Sequence, residues 1–106
     1  MKHYVYILLL ANRQLYAGYT TDLERRIPEH EVGMVASTRH RRPVRLLHVE
    51  RYELESDARR RERFLKTTEG KRLLRQQIRD VLAAHGVIDP KNGFREDRFD
   101  LAGELD

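Results

Sequence analysis

No cysteine occurs among the 106 residues. That excludes a disulfide framework, a thiolate metal site and a cysteine nucleophile. The histidines do not fall at the spacing of a zinc signature. No apolar run is long enough to cross a bilayer. The one at residues 4–10 falls well short of the ~20 residues a span requires, and no small-residue cleavage site follows it. It reads as a buried strand, and the expectation is a cytoplasmic protein without membrane association. Internal repeats are absent, and a chain of this length supports one domain with a modest core.

What the chain has in excess is arginine. Lys and Arg number 21 against 17 Asp and Glu, a formal net charge of +4, and 17 of the 21 are arginine. The balance is uneven along the chain. Residues 1–85 carry 18 basic against 11 acidic side chains, while residues 86–106 carry 3 against 6. The guanidinium is a planar fork that holds phosphate oxygens in pairs, which an ammonium does not. A solvated surface accounts for such a charge as well as a phosphate-bearing partner does, so composition admits nucleic acid without requiring it.

The residue pattern predicts strands and helices in a mixed order. Residues 4–10 are apolar almost throughout, as in a strand covered on both faces. A turn at Ala11, Asn12 and Arg13 leads into a returning strand over residues 14–19. Tyr4, Tyr6, Leu8 and Leu10 share one face of the first strand, and Tyr16 and Gly18 share a face of its partner. A glycine inside a strand marks a place where something approaches the backbone. Thr21 and Glu24 form a capping box, so a helix is expected to start there and to end at Gly33. Pro28 is expected to kink it.

Further along, residues 36–43 read as a basic loop, and residues 44–54 as a third strand with Leu47, Val49 and Arg51 alternating against Leu46, His48 and Glu50. Ser56 is expected to cap a second helix reaching about Lys66. Thr67 or Thr68 should cap a third, with Leu74, Ile78 and Val81 at helical spacing and Gly86 closing it. Residues 86–106 are acidic and aperiodic. They read as a partly ordered tail whose removal after Gly86 leaves the fold intact.

Certain polar residues stand where polar residues are costly. Glu62 shares a helical stripe with Ala58 and Leu65, the stripe that should cover the sheet carrying the tyrosines. A carboxylate there is either salt-bridged to an arginine or a metal ligand, and a single carboxylate suits Mg²⁺, which keeps most of its waters. Tyr6 and Tyr16 are good strand residues on packing grounds alone, yet they flank Gly18. Arg26 and His30 lie one helical turn apart and can address one ligand together, although Arg25 is an equal candidate for phosphate.

These residues, in this order, resemble the GIY-YIG nuclease family. Val5-Tyr6-Ile7 is similar to its first motif and Tyr16-Ala17-Gly18 to its second. Asp22-Leu23-Glu24-Arg25-Arg26 resembles the helix carrying the family's arginine, which falls on Arg26. His30 matches a position held by histidine or tyrosine, and Arg61-Glu62-Arg63-Phe64-Leu65-Lys66 resembles the helix carrying the metal-binding glutamate, which falls on Glu62. The likeness covers about residues 2–76 and is greatest to small stand-alone members, related to the amino-terminal domain of the excision-repair nuclease subunit. Val5 replaces a glycine of the first motif and Ala17 an isoleucine of the second.

The resemblance implies an α/β fold with a three-stranded antiparallel sheet flanked by helices, in a domain spanning residues 1–85. It implies a divalent-metal-dependent endonuclease that hydrolyses DNA phosphodiesters in repair or recombination, with RNA left open as substrate. Tyr6, Tyr16, Arg26, His30 and Glu62 would be catalytic, with Glu62 holding one Mg²⁺ or Mn²⁺. Gly18, Arg39, Arg41, Arg42 and Lys66 would contact nucleic acid. Whether Tyr6, Tyr16 or His30 is the base stays open, with Tyr6 preferred for activating water. The competing reading is a nucleic-acid-binding module with little or no catalysis.

Overall fold

The apolar first strand does become the centre of a sheet. The computed structural model describes residues 1–89 and 93–94. In it β1 (His3–Leu9) lies between β2 (Leu15–Thr20) and β3 (Arg45–Tyr52), antiparallel to both, in the order β2-β1-β3. Helices lie on both faces, so the α/β class with a three-stranded antiparallel sheet is what the chain forms. Only a strand with neighbours on both sides and cover on both faces needs so little polarity.

Alternation along β1 divides its side chains between two cores. Val5, Ile7 and Leu9, joined by Leu15 and Ala17 of β2, pack on Ala58 and Leu65 around α2 (Glu55–Phe64). The same core takes in Leu74 of α3 (Thr68–Gln77), Ile78, and Leu82 of α4 (Arg79–Ala84). On the other face Tyr6, Leu8, Leu10 and Tyr16 pack on Leu23 and Ile27 of α1 (Leu23–Glu31). The helix bearing Glu62 covers the sheet, as its stripe implies, on the face opposite the tyrosines, where its buried residues Ala58 and Leu65 belong to the first core.

Local chemistry sets the element ends. The cap of α1 is Asp22, one residue later than the capping box implies: its carboxylate accepts from Arg25 N at 3.1 Å. Pro28 does not interrupt the helix, which is continuous from Leu23 to Glu31, and Gly33 follows at φ +86°. Ser56 does not cap α2, whose N-cap is Leu54 with no side-chain bond. Thr67 does cap α3, its hydroxyl accepting from Gly70 N at 3.0 Å. The expected third helix divides at Ile78, where φ −109° and ψ 29° leave the helical region.

Two further corrections concern the sheet and the tail. The register between β1 and β3 shifts between Ile7 and Leu8, so that Ile7 faces His48 while Leu8 faces Leu46. The extra residue, Leu47, reaches the first core, whereas Val49 is 37% exposed. The simple alternation expected for this strand therefore breaks at a bulge. At the other end, Val87 and Ile88 of the presumed tail are buried in the first core. Ile88–Asp89 (β4) pairs with Gly93–Phe94 (β5), and residues 90–92 and 95–106 of the expected tail lie outside the described residues.

Candidate active site

Pairing register brings the first two motifs together. Tyr6 sits opposite Gly18 and Leu8 opposite Tyr16, so both phenols emerge on the α1 side of the sheet with ring centroids 6.3 Å apart. Gly18 is required by proximity. A Cβ built there would overlap Cζ and the hydroxyl of Tyr6.

Behind the phenols lies His30, which is fully buried. Its Nε2 is 2.8 Å from the Tyr6 hydroxyl and its Nδ1 is 2.7 Å from Oγ1 of Thr38, itself buried. A neutral imidazole offers one donor and one acceptor, so this pair of partners satisfies both nitrogens. Edge-on contacts to Tyr6 and Tyr16, with centroids at 5.5 and 5.2 Å, fix the ring plane. His30 touches Tyr6 and is shielded from solvent. It meets the cleft through the phenols packed on it and not directly.

In front of the phenols is a cleft of about 360 Å³. Tyr6, Tyr16, Gly18, Arg26 and Glu62 all line it, together with Tyr19 and the wall formed by Val35, Ala36 and Ser37. Arg26 bonds Glu29 at 3.2 Å and the Tyr6 phenol. Burial lowers its affinity for the proton, but these bonds outweigh that and hold it above the ordinary arginine value. The guanidinium is thus charged, beside Tyr6, with its side chain 33% exposed. Arg25, 59% exposed, instead pairs with Glu29 and Asp22 outside the cleft.

Glu62 reaches the cleft from α2, its side chain 17% exposed. Arg59 Nη1 stands 3.7 Å from one oxygen and Lys66 Nζ 3.6 Å from the other. Lys66 is therefore engaged with the carboxylate. Among the described residues Glu62 is the sole carboxylate lining the cleft, and none of them form a cluster of three or more His, Cys, Asp or Glu suited to a metal. A hard oxygen ligand on the cleft wall fits a divalent cation that keeps most of its water and completes its shell from a phosphate, provided the cation displaces the Arg59 and Lys66 contacts.

The basic loop is partly spent on its own shape. A 3-10 turn occupies Arg39–Arg41. Arg41 donates to the Ser37 carbonyl and, at 3.2 Å, to Gln14. Arg42 donates to the Arg39 carbonyl at 2.9 Å, while Arg39 and Arg42 both remain exposed.

Sequence reasoning overlooked Thr38, Ser37, Glu29, Tyr19 and Arg59. Ser37 donates to the Tyr16 hydroxyl at 3.4 Å, and Arg59 lies 3.8 Å over the Tyr19 ring. Glu29, three residues from Arg26 on one helix, was legible from spacing. Thr38 meets His30 across a loop, and no periodicity announces such a contact. Tyr19 is a third phenol in the cleft, but burial and the nearby Glu55 charge raise its pKa above the ordinary tyrosine value, which keeps it protonated.

Comparison with known proteins agrees with the motif order. Residues 2–75 match the GIY-YIG catalytic domain. A UPF0213 protein of Natronomonas pharaonis is 50% identical over 66 residues, covering 61% of this chain and 78% of its own. One from Haloquadratum walsbyi is 45% identical over 82 residues, covering 74% and 92%. The solution NMR structure of a UPF0213 protein from Bacillus halodurans is 38% identical, covers 73% of this chain and 85% of its own, and superposes with a TM-score of 0.49. The chain belongs to the GIY-YIG family, whose catalytic domain is that of a nuclease superfamily.

Proposed function

We propose that the protein is a divalent-metal-dependent endonuclease that hydrolyses phosphodiester bonds in DNA. The observation that carries this reading is one cleft lined by Tyr6, Tyr16, Arg26 and Glu62, with the Tyr6 hydroxyl bonded to the buried His30. Those groups cover the needs of phosphodiester hydrolysis: a base for water, a cation for the phosphate and a carboxylate for a metal.

The chemistry runs through Tyr6. Water attacks phosphorus and gives a proton to the Tyr6 oxygen, while the Tyr6 proton passes to Nε2 of His30. The imidazolium that forms donates its Nδ1 proton in a hydrogen bond to Thr38, which holds the ring in place. Arg26 binds the nonbridging phosphate oxygens and stabilises the charge that builds on them. Tyr16 donates to the phosphate and fixes its position. Glu62 would hold Mg²⁺ or Mn²⁺, which supplies charge neutralisation at the phosphate and the departing oxygen. The bond from phosphorus to that oxygen breaks as the new one forms, and the departing oxygen takes a proton from solvent water.

One observation favours a different reading, a module that binds nucleic acid without cutting it. Glu62 is already flanked by Arg59 and Lys66, which neutralise it without a metal. A single assay separates the two. Plasmid, branched DNA and RNA are incubated with the protein and with its Glu62→Ala variant, in Mg²⁺ or Mn²⁺ and in chelator. The nuclease reading expects nicking that needs the metal and vanishes in the variant. Metal-dependent nicking retained by Glu62→Ala, or chelator-insensitive binding with no nicking, overturns it.

A further inference from the structure

A hollow larger than the cleft lies elsewhere among the described residues. About 570 Å³ in volume, it lies where β1 ends and β3 begins, against the end of α4. Among the described residues its charged and titratable side chains are Arg13, Arg45 and His85, and no described carboxylate lines it. Two other surface hollows, of about 430 and 400 Å³, carry Asp80 and Asp57.

The two arginines differ in what they already do. Arg13 spans from the hairpin to the His85 and Gly86 carbonyls, at 3.0 and 2.8 Å, and so answers the negative end of α4. The Arg45 side chain is exposed, and among the described residues it makes no hydrogen bond or ion pair. A cation that the described residues leave unpartnered, on a wall where they place no acid, lowers the free energy of an anion brought to it.

One loop builds both this hollow and the cleft. Val35, Ala36 and Ser37 wall the cleft, and Pro43 and Val44 wall the hollow. The connection is pinned midway, where Arg41 bonds the Ser37 carbonyl and its own carbonyl accepts from Ala11 N at 2.8 Å. Exposed Arg39 and Arg42 stand on the stretch between.

We propose that the hollow is a second phosphate site, which holds the backbone of the strand whose scissile phosphate lies in the cleft. The separation follows from strand geometry. At ~3.3 Å per residue along β1 and ~4.8 Å between strands, cleft and hollow are on the order of 15 Å apart. That corresponds to roughly four nucleotides of a duplex strand, at ~3.4 Å of axis each. The site sets a minimum substrate length and takes no part in the chemistry. It rests on the cleft's ligand being nucleic acid, whether or not that ligand is cut.

The test is binding in chelator, with wild type, Arg45→Ala and Arg45→Lys, of a short oligonucleotide that fills only the cleft and a longer one that reaches both sites. For the long strand, Arg45→Ala should make the dependence of log affinity on log salt shallower by about one, with Arg45→Lys restoring it. For the short strand the three proteins should agree. Amide shifts of Ala84 and His85 should respond to the long strand only. An unchanged salt slope in Arg45→Ala overturns the proposal. So does a mononucleotide that shifts Ala84 and His85 as strongly as the long strand, since the hollow is then a free-nucleotide pocket. Failure of wild type to bind either oligonucleotide sinks the nuclease reading as well, whereas metal-dependent nicking with an unchanged slope sinks this proposal alone.

Discussion

Tyr6, His30 and Thr38 are linked by two hydrogen bonds at 2.8 and 2.7 Å, and only Tyr6 meets the cleft. Tyr6→Phe keeps the ring and removes the proton carrier. It should lower the single-turnover rate by about 10²–10⁴-fold with binding nearly unchanged, and remove the buried bond to Nε2 of His30 at a cost of about 1–2 kcal/mol in urea unfolding. Thr38→Val should lower the rate less, because it loosens the ring without removing the base. Arg26→Lys keeps charge but loses the fork beside Tyr6 and should be severely slowed, whereas Arg25→Lys outside the cleft should be nearly silent. Equal effects at positions 25 and 26 would place the phosphate elsewhere. Glu62→Gln should be almost as inactive as Glu62→Ala, the neutral amide being a weak magnesium ligand, and both should fold.

At the scale of elements, β3 and α2 are joined by a polar bolt. Glu50 accepts from Arg61 at 2.8 and 3.0 Å and from the Tyr52 hydroxyl at 2.7 Å, and its Oε2 lies 3.0 Å from His48. Burial pushes the Glu50 carboxyl upward, but these bonds outweigh it and bring it down to about 2, while burial and Glu50 push Tyr52 up to about 12. A carboxyl depressed in the folded state stabilises above its unfolded value near 4.5 and loses that stabilisation as pH falls toward 2. After allowance for solvent screening the loss is about 2 kcal/mol. Glu50→Gln should therefore be less stable than wild type at neutral pH and should flatten the acid limb of the stability curve. An acid limb unchanged by the substitution would mean other carboxyls carry it. Leu54, exposed at the uncapped start of α2, offers the opposite test. Its extended φ and ψ suit a cap, so Leu54→Asp should raise unfolding free energy by about 0.5–1 kcal/mol.

These elements also show what the sequence could and could not reveal. The apolar first strand, the Thr67 cap and the glycine ends at Gly33 and Gly86 are local decisions, and local patterns disclosed them. The bulge at Leu47, the split at Ile78 and the pairing of half-buried Glu50 with Arg61 are decided by partners far along the chain. The same division holds for the site. Motif order named the cleft residues, but which face α2 covers, and that Thr38 holds His30, depend on packing across the sheet.

At the scale of the whole molecule, 41 × 28 × 23 Å in extent, charge and core divide the labour of the loop and the chain end. Neutralising Arg39 and Arg42 should weaken binding to all sequences and flatten the salt dependence by up to about two phosphate contacts. Arg41→Ala should instead lower the cleavage rate at saturating protein, because its bonds shape the cleft wall. Truncation after Gly86 removes Val87 and Ile88 from the first core. At about 1.5–3 kcal/mol for each buried side chain, the melting temperature should fall by well over a few degrees. An unchanged melting temperature would mean those two residues contribute little to the core.

The contact between Gly18 and Tyr6 has a consequence for how such a protein changes over generations. A methyl at position 18 collides with the phenol, so Gly18→Ala harms a chain that has Tyr6 and is tolerated in one where position 6 has shrunk. The two positions form a ratchet. While the phenol is under selection the glycine cannot drift, and once the phenol is lost, alanine or larger residues fill the space and close the way back. A lineage that stops cutting should then carry the record of it at position 18. Reintroducing tyrosine at position 6 of such a chain should fail unless glycine is restored with it, a double substitution whose stability is measurable against each single one.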